Sequence, residues 1–142
     1  MNTKTIINRL EAIYAQIPEV TCTHCHHCCG PLIWFKPEEI NIRRFLQENN
    51  MKYLTKSSEE FVQQGMQCPY IKNDRCSIYP VRPIVCRLQG NTPELPCTQN
   101  VNTVIPKQIL DKIKQEMDSL VRETGGIGFA YGTRRYTKEK VS

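Results

Sequence analysis

Eight cysteines are the residues of this sequence best suited to chemistry, and all of them lie between positions 22 and 97. Four stand in one short segment, Cys22-Thr23-His24-Cys25-His26-His27-Cys28-Cys29-Gly30. Two residues between successive cysteines bring their sulfurs to the same side of a tight turn, where backbone amides stabilise thiolate charge. The spacing therefore predicts a metal site built from thiolates.

Two kinds of metal suit this pattern. The spacing of Cys22, Cys25 and Cys28 matches the C-x2-C-x2-C run of ferredoxin-type iron–sulfur proteins, and Cys68-Pro69 resembles their remote fourth ligand. Thiolates also suit Zn2+, so zinc and an iron–sulfur cluster both stay open. The segment lacks the C-x3-C-x2-C spacing of radical S-adenosylmethionine enzymes, which argues against that mechanism.

Two adjacent cysteines complicate the ligand count. Because neighbouring side chains of an extended backbone point in opposite directions, Cys28 and Cys29 do not readily share one tetrahedral ion. Either two metal sites or one spare thiol follows. Four disulfides are the alternative, although adjacent cysteines fit disulfide geometry poorly. The three histidines of the segment, His24, His26 and His27, are either ligands or exposed hydrogen-bond donors around the site.

The cellular compartment decides between metal and disulfides. The first nine residues lack the apolar core of a secretory signal peptide. The longest apolar run, Leu32-Ile33-Trp34-Phe35, is too short to span a membrane. We therefore expect a cytoplasmic protein whose thiols stay reduced and bind metal.

The formal net charge of +5 invites comparison with nucleic-acid-binding proteins. Eight thiolates holding two Zn2+ ions would lower that charge by about four, to about +1. The sequence has no run of five basic residues, only isolated pairs such as Arg43-Arg44 and Arg134-Arg135. Metal is therefore the expected partner, a protein partner stays open, and neither nucleic acid nor membrane is indicated.

The length of 142 residues predicts a single domain, and its 9 prolines predict a modest core. Apolar residues at helical spacing predict a first helix that is ended by Pro18: Ile6, Ile7, Leu10, Ile13, Tyr14 and Ile17. Pro37 begins a second helix that runs to about Asn49, with Glu38 and Glu39 at its positive end. We expect Ile40, Phe45 and Leu46 to form its buried face and to contact the first helix.

Shorter elements follow along the chain. Residues 58–62 predict a helical turn, and Asn73-Asp74 predicts the turn of a small hairpin that holds Cys68 near Cys76. Pro83 begins a helical turn that carries Cys86. A helix over residues 104–124 and a flexible or wrapping tail over 125–142 complete the prediction. The expected fold is a small, α-rich α+β domain with three main helices, a short β-hairpin and irregular cysteine-rich loops around a metal site.

The two halves of the cysteine pattern together resemble one family, the YkgJ-like zinc- or iron-chelating proteins with a C-x-x-C-x-x-C-C motif. The resemblance covers about residues 22–97. Its first half is the segment above, and its second half comprises Cys68-Pro69, Cys76-Ser77-Ile78-Tyr79 and Val81-Arg82-Pro83-Ile84-Val85-Cys86-Arg87. The resemblance implies a metal-binding core with seven expected ligands: Cys22, Cys25, Cys28, Cys29, Cys68, Cys76 and Cys86. Cys97 lies beyond the recognisable motif and is the eighth candidate.

Two arginines flank Cys86. The guanidinium groups of Arg82 and Arg87 could donate hydrogen bonds to sulfur and offset thiolate charge around the bound metal. For Arg82, fixed between Val81 and Pro83, we favour this role. For Arg87, a surface ion pair with a carboxylate is an equal alternative.

Metal chelation is the leading function that the sequence indicates. Flagellin lysine methylases look like larger relatives with an iron–sulfur version of the motif, so the resemblance allows an iron–sulfur-dependent group-transfer enzyme. The chain shows no nucleotide-binding loop for a methyl donor. A zinc-stapled protein-interaction module without chemistry is the third hypothesis.

Overall fold

The computed structural model describes residues 1–19, 34–54, 57–65, 67–95, 97 and 104–125. Among these residues, five α-helices and one two-stranded antiparallel sheet are formed. In chain order the elements are α1 (Thr3–Tyr14), α2 (Lys36–Glu48), α3 (Ser58–Gln63), β1 (Ile71–Lys72), β2 (Arg75–Cys76), α4 (Ile84–Leu88) and α5 (Lys107–Glu123), with a 3-10 helix at Tyr79–Val81. The predicted α-rich fold with a small hairpin is confirmed. The predicted roles of Cys22, Cys25, Cys28, Cys29, the three histidines and the tail beyond Gly125 concern residues outside these ranges.

The first of two apolar clusters joins the two ends of the chain. It is formed by one face of α1, one face of α5 and three residues from the intervening chain: Leu10, Ile13, Tyr14, Ile17, Phe35, Ile84, Ile105, Leu110, Ile113, Met117, Leu120 and Val121. Helical spacing in the sequence brings these side chains to one side of each helix. The apolar positions predicted for α1 are all buried, whereas Ile109 of α5 is exposed.

The second apolar cluster lies on the other side of α2. Its buried members are Trp34, Ile42, Leu46, Phe61, Cys68, Tyr70, Ile78 and Val81. The buried face predicted for α2 is therefore partly wrong. Ile40 and Phe45 are only half-buried, Ile42 is fully buried, and Leu46 packs in a cluster that contains no residue of α1. The helix presents a polar surface, not an apolar one, to α1.

The hairpin has the predicted turn. Asn73 and Asp74 have φ angles of 50° and 62°, the two positive values of a type I′ turn, which Asn and Asp tolerate better than most residues. Lys72 pairs with Arg75 and Ile71 pairs with Cys76. Both Cys68 and Cys76 contact the second apolar cluster, as the hairpin prediction required.

The helix α4 is short but well placed. Pro83 occupies its N-cap position, and the Pro83 carbonyl accepts hydrogen bonds from the backbone N–H groups of Cys86 at 3.0 Å and Arg87 at 3.2 Å. Ile84 belongs to the first apolar cluster and Cys86 contacts the second. The predicted turn carrying Cys86 is confirmed, and it joins the two clusters.

The end of α5 offers a simple test of the fold. Gly125, at φ 81°, follows the C-cap residue Thr124, and its N–H donates to the Arg122 carbonyl at 3.1 Å. An L side chain is strained at this φ, so we expect Gly125→Ala to lower the free energy of unfolding by about 1 kcal/mol. Urea denaturation measures the effect. Ser119→Ala, at an exposed position of the same helix, is the control, and equal stability of wild type and Gly125→Ala would contradict the prediction.

Candidate metal centre

Three of the predicted ligands in the second half of the motif gather around one cluster. Cys68 is a buried member of the second apolar cluster, and the half-buried Cys76 and Cys86 pack against it. Each arrives on a different element: the turn before β1, strand β2 and helix α4. Cys97 is also half-buried, but it lies beyond the Thr92–Leu95 bridge and is not part of this cluster.

Local hydrogen bonds fix these elements. The Cys68 carbonyl accepts from the Ile71 N–H at 3.3 Å, which closes the turn into β1. The Tyr70 carbonyl accepts from both the Ser77 N–H at 2.8 Å and the Ser77 hydroxyl at 2.5 Å, which holds the chain immediately after Cys76. The cysteines of the second half therefore stand on backbone that is ordered by its own turns.

The described cysteines alone do not complete a metal site. Within the part of the chain that the structure describes, no three side chains of His, Cys, Asp or Glu form a group able to hold a metal ion. The donor chemistry nevertheless fits the group expected here, because thiols beside an apolar cluster suit zinc and iron–sulfur centres alike. The ligand roles predicted for all eight cysteines stay predictions.

The chain on either side of the first half of the motif is tied to α4 by buried side chains. The first is Glu38, which is fully buried. Its Oε2 accepts from the Tyr14 hydroxyl of α1 and from the Ile84 N–H at the start of α4, each at 2.5 Å. Its Oε1 accepts from the N–H of Phe35 at 3.1 Å. Glu38 thus connects α1, the residue following position 34, and the helix that carries Cys86.

Burial dominates the electrostatics of this carboxyl. It raises the pKa of Glu38 to about 7, although the hydrogen bonds from Tyr14, Ile84 and Phe35 and the nearby Arg87 charge all favour the ionised form. Burial, and then the Glu38 charge, raise the pKa of the Tyr14 hydroxyl well above its ordinary value. The hydroxyl therefore stays a donor to Glu38.

The second tie is made by Asn91, which is also fully buried. Its side-chain Nδ2 donates to the Pro18 carbonyl and to the Arg87 carbonyl, each at 2.9 Å. Its backbone N–H donates to Leu88 at 2.8 Å, and its carbonyl accepts from Ile105 at 2.9 Å. One side chain therefore connects the end of the α1 region to the last turn of α4.

The two arginines that flank Cys86 have different surroundings. Arg82 pairs with Glu19 at 3.0 Å, and its guanidinium lies 3.9 Å from the Tyr79 ring centroid. Arg87 lies 3.8 Å from the Tyr14 ring centroid and donates to the carbonyls of Arg82 and Pro80 at 2.9 and 3.0 Å. Burial lowers the pKa of Arg87. The carboxylate pairing considered for Arg87 is thus found at Arg82, while contact of either arginine with a metal centre stays a prediction.

A groove of about 500 Å³ opens beside this network. It runs between α1, α2 and the chain before α4, and its walls include Tyr14, Ile17, Arg44, Phe45, Val81 and Arg87. Its volume is in the range of small-molecule sites.

Glu38 and Asn91 were missed as site residues by the sequence reading. Glu38 was recognised only as a favourable charge at a helix N-terminus, and nothing in the local pattern indicated that it is buried. Asn91 follows Gly90, whose φ is 84°, so the pair looks like an ordinary turn. The partners of both residues lie far away in sequence.

Comparison with known proteins supports the metal reading. A model of the CxxCxxCC family, described as "Putative zinc- or iron-chelating domain", matches residues 21–117. That range includes every cysteine of the chain. No curated protein and no solved structure matches the chain. In the described residues, no helix has the length and apolar character needed to cross a membrane. Because the match extends over more than half of the sequence and contains both halves of the cysteine pattern, the chain belongs to the CxxCxxCC family of metal-chelating domains.

Proposed function

We propose that this protein chelates zinc or an iron–sulfur cluster through a centre that combines both halves of the motif. The first half contributes Cys22, Cys25, Cys28 and Cys29, and the second contributes Cys68, Cys76 and Cys86, with Cys97 as an outer candidate. Thiolates would hold the metal, and a reducing compartment such as the cytoplasm would keep them available.

One observation carries this proposal. The residues that flank the first half, Pro18 and Phe35, are bonded through Asn91 and Glu38 to the end and the start of α4. A third, more exposed link joins Glu19 to Arg82. Both ends of the cysteine-rich segment are therefore held beside the helix that carries Cys86, which favours one centre shared by the two halves.

The identity of the metal is tested by anaerobic purification. We expect a protein that contains metal in stoichiometric amount. Visible absorption with acid-labile sulfide would identify an iron–sulfur cluster, and a colourless protein containing zinc would identify the alternative. Protein purified without metal that also fails to take up zinc or iron would contradict the proposal.

The cysteines should contribute unequally. We expect Cys25→Ser and Cys86→Ser to lose most of the metal, because a serine hydroxyl is a poor substitute for a thiolate. Cys97→Ser should lose a minor part, since Cys97 lies away from the second apolar cluster that Cys86 contacts. Metal analysis of the three purified variants measures the difference. Equal loss from all three, or full metal content in Cys25→Ser, would contradict this order.

The groove favours one further function, an iron–sulfur-dependent group-transfer enzyme. Such an enzyme needs a substrate site near its cluster, and the groove reaches Arg87, the neighbour of Cys86. A zinc-stapled interaction module needs no such site, because structural zinc is closed by its four ligands. A cluster that shifts its spectrum when small molecules are added would favour the enzyme, whereas tightly bound zinc without an open ligand position would favour the module.

A further inference from the structure

The two buried ties deserve attention as a pair. Glu38 and Asn91 come from different parts of the chain, yet each joins one flank of the first cysteine segment to one end of the same five-residue helix. Both side chains are fully buried and polar. Buried polar groups of this kind are costly unless their hydrogen bonds are made, so the two ties hold only one arrangement of these segments.

The contacts of Glu38 show what its loss would cost. Three donors from three segments converge on one carboxyl: the Tyr14 hydroxyl and the N–H groups of Phe35 and Ile84. A glutamine at this position keeps one oxygen as an acceptor and turns a donor toward the other partner. Glu38→Gln therefore removes part of the tie without removing side-chain volume.

The contacts of Asn91 are complementary. Its amide donates to two carbonyls that belong to different segments, those of Pro18 and Arg87. Asn91→Ala removes both bonds and leaves the backbone bonds of residue 91 in place. The link between the α1 region and the end of α4 is then lost.

We propose that Glu38 and Asn91 are positioning residues of the metal centre and control how fast it exchanges metal. This inference rests on the proposed function. A centre with ligands on both sides of these ties opens when α4 separates from the flanks of the first segment, and the ties oppose that separation. Residues that orient metal ligands through hydrogen bonds commonly change metal affinity by about 10–100-fold when they are replaced.

The experiment compares metal release with unfolding. Metal-loaded wild type, Glu38→Gln and Asn91→Ala are mixed with a colorimetric chelator of the metal that they contain, under native conditions. The global unfolding rate is measured in parallel by the fluorescence of Trp34, the single tryptophan, which is buried in the second apolar cluster. We expect slow release from wild type and about 10–100-fold faster release from both variants, with a smaller change in the unfolding rate.

Two matched controls come from α2. Glu39→Gln changes the neighbouring carboxylate, which accepts from Tyr53 at 2.8 Å. Asn41→Ala removes a buried asparagine that accepts at 2.9 Å from Arg44 of the same helix. Neither residue makes a hydrogen bond to α4 among the described residues, so both controls should release metal at nearly the wild-type rate.

The outcomes separate this inference from the proposed function. Wild type that binds no metal would contradict the proposed function. Wild type that binds metal, with variants that release it at the wild-type rate, would overturn only the positioning role. Faster release in proportion to faster unfolding, or the same acceleration in the controls, would also overturn it.

Discussion

Removal of the metal is expected to unfold the second apolar cluster while α1 and α5 stay associated. Structural zinc supplies on the order of 10 kcal/mol of folding free energy at neutral pH, which is as large as the whole stability of a typical domain. Cys68, Cys76 and Cys86 contact the second cluster, so that region depends on ligation. The first cluster contains α1 and α5 without any cysteine. Amide hydrogen exchange before and after treatment with a strong chelator measures the loss region by region.

Metal added back serves as the control for this experiment. Protection of the amides in β1, β2 and α4 should fall on chelation and return when the metal is restored. Protection in α1 and α5 should change less. If the hairpin and α4 remain protected after complete removal of the metal, ligation does not hold the second cluster and the prediction is wrong.

The stability of the protein is expected to fall as the pH rises from about 4.5 to about 7, because of Glu38. Burial raises the folded-state pKa of this carboxyl from 4.5 to about 7. Below pH 4.5 Glu38 is protonated in both states and its contribution is fully present. Between the two values the unfolded chain loses the proton first, so the folded state binds more protons and becomes less stable. Above pH 7 no further change follows from this group. The shift corresponds to a loss of about 3 kcal/mol in the free energy of unfolding.

Glu38→Gln isolates this contribution. The groups that face Glu38 are Tyr14 of α1 and Arg87 of α4, and both keep their charge state across this range. The difference in unfolding free energy between wild type and Glu38→Gln, measured by urea denaturation from pH 4.5 to 7.5, should therefore follow Glu38. Glu48→Gln, at an exposed position of α2, is the control. A difference that does not vary with pH would show that Glu38 does not titrate as predicted.

Local patterns in the sequence were enough to predict most of the fold. The spacing of apolar residues located α1 and α5, and Asn73-Asp74 located the hairpin, because each of these signals depends on residues within a few positions of one another. Proline located the start of α4 in the same way. The motif located the cysteines, and the family match supports metal chelation as their purpose.

Interactions between distant residues could not be predicted in this way. Glu38 lies 24 positions from Tyr14 and 46 from Ile84, and Asn91 lies 73 positions from Pro18. The buried face of α2 was misjudged for the same reason. Apolar residues alone suggested Ile40 and Phe45, whereas Glu38 and its partners turn the start of the helix toward α1 and direct Ile42 to the second cluster. Long-range polar contacts, not helical spacing, orient that helix.

The type I′ turn of the hairpin restricts how the number of residues between Cys68 and Cys76 can change. Side chains of a strand alternate between its two faces, so one inserted or deleted residue in β1 or β2 would move Cys76 to the opposite face of the hairpin. Two residues inserted as a pair would lengthen the hairpin and return the thiol to its present side. Of the spacings between cysteines in the second half of the motif, this one therefore tolerates even changes in length and opposes odd ones, whereas the irregular chain between Leu88 and Cys97 carries no such parity rule.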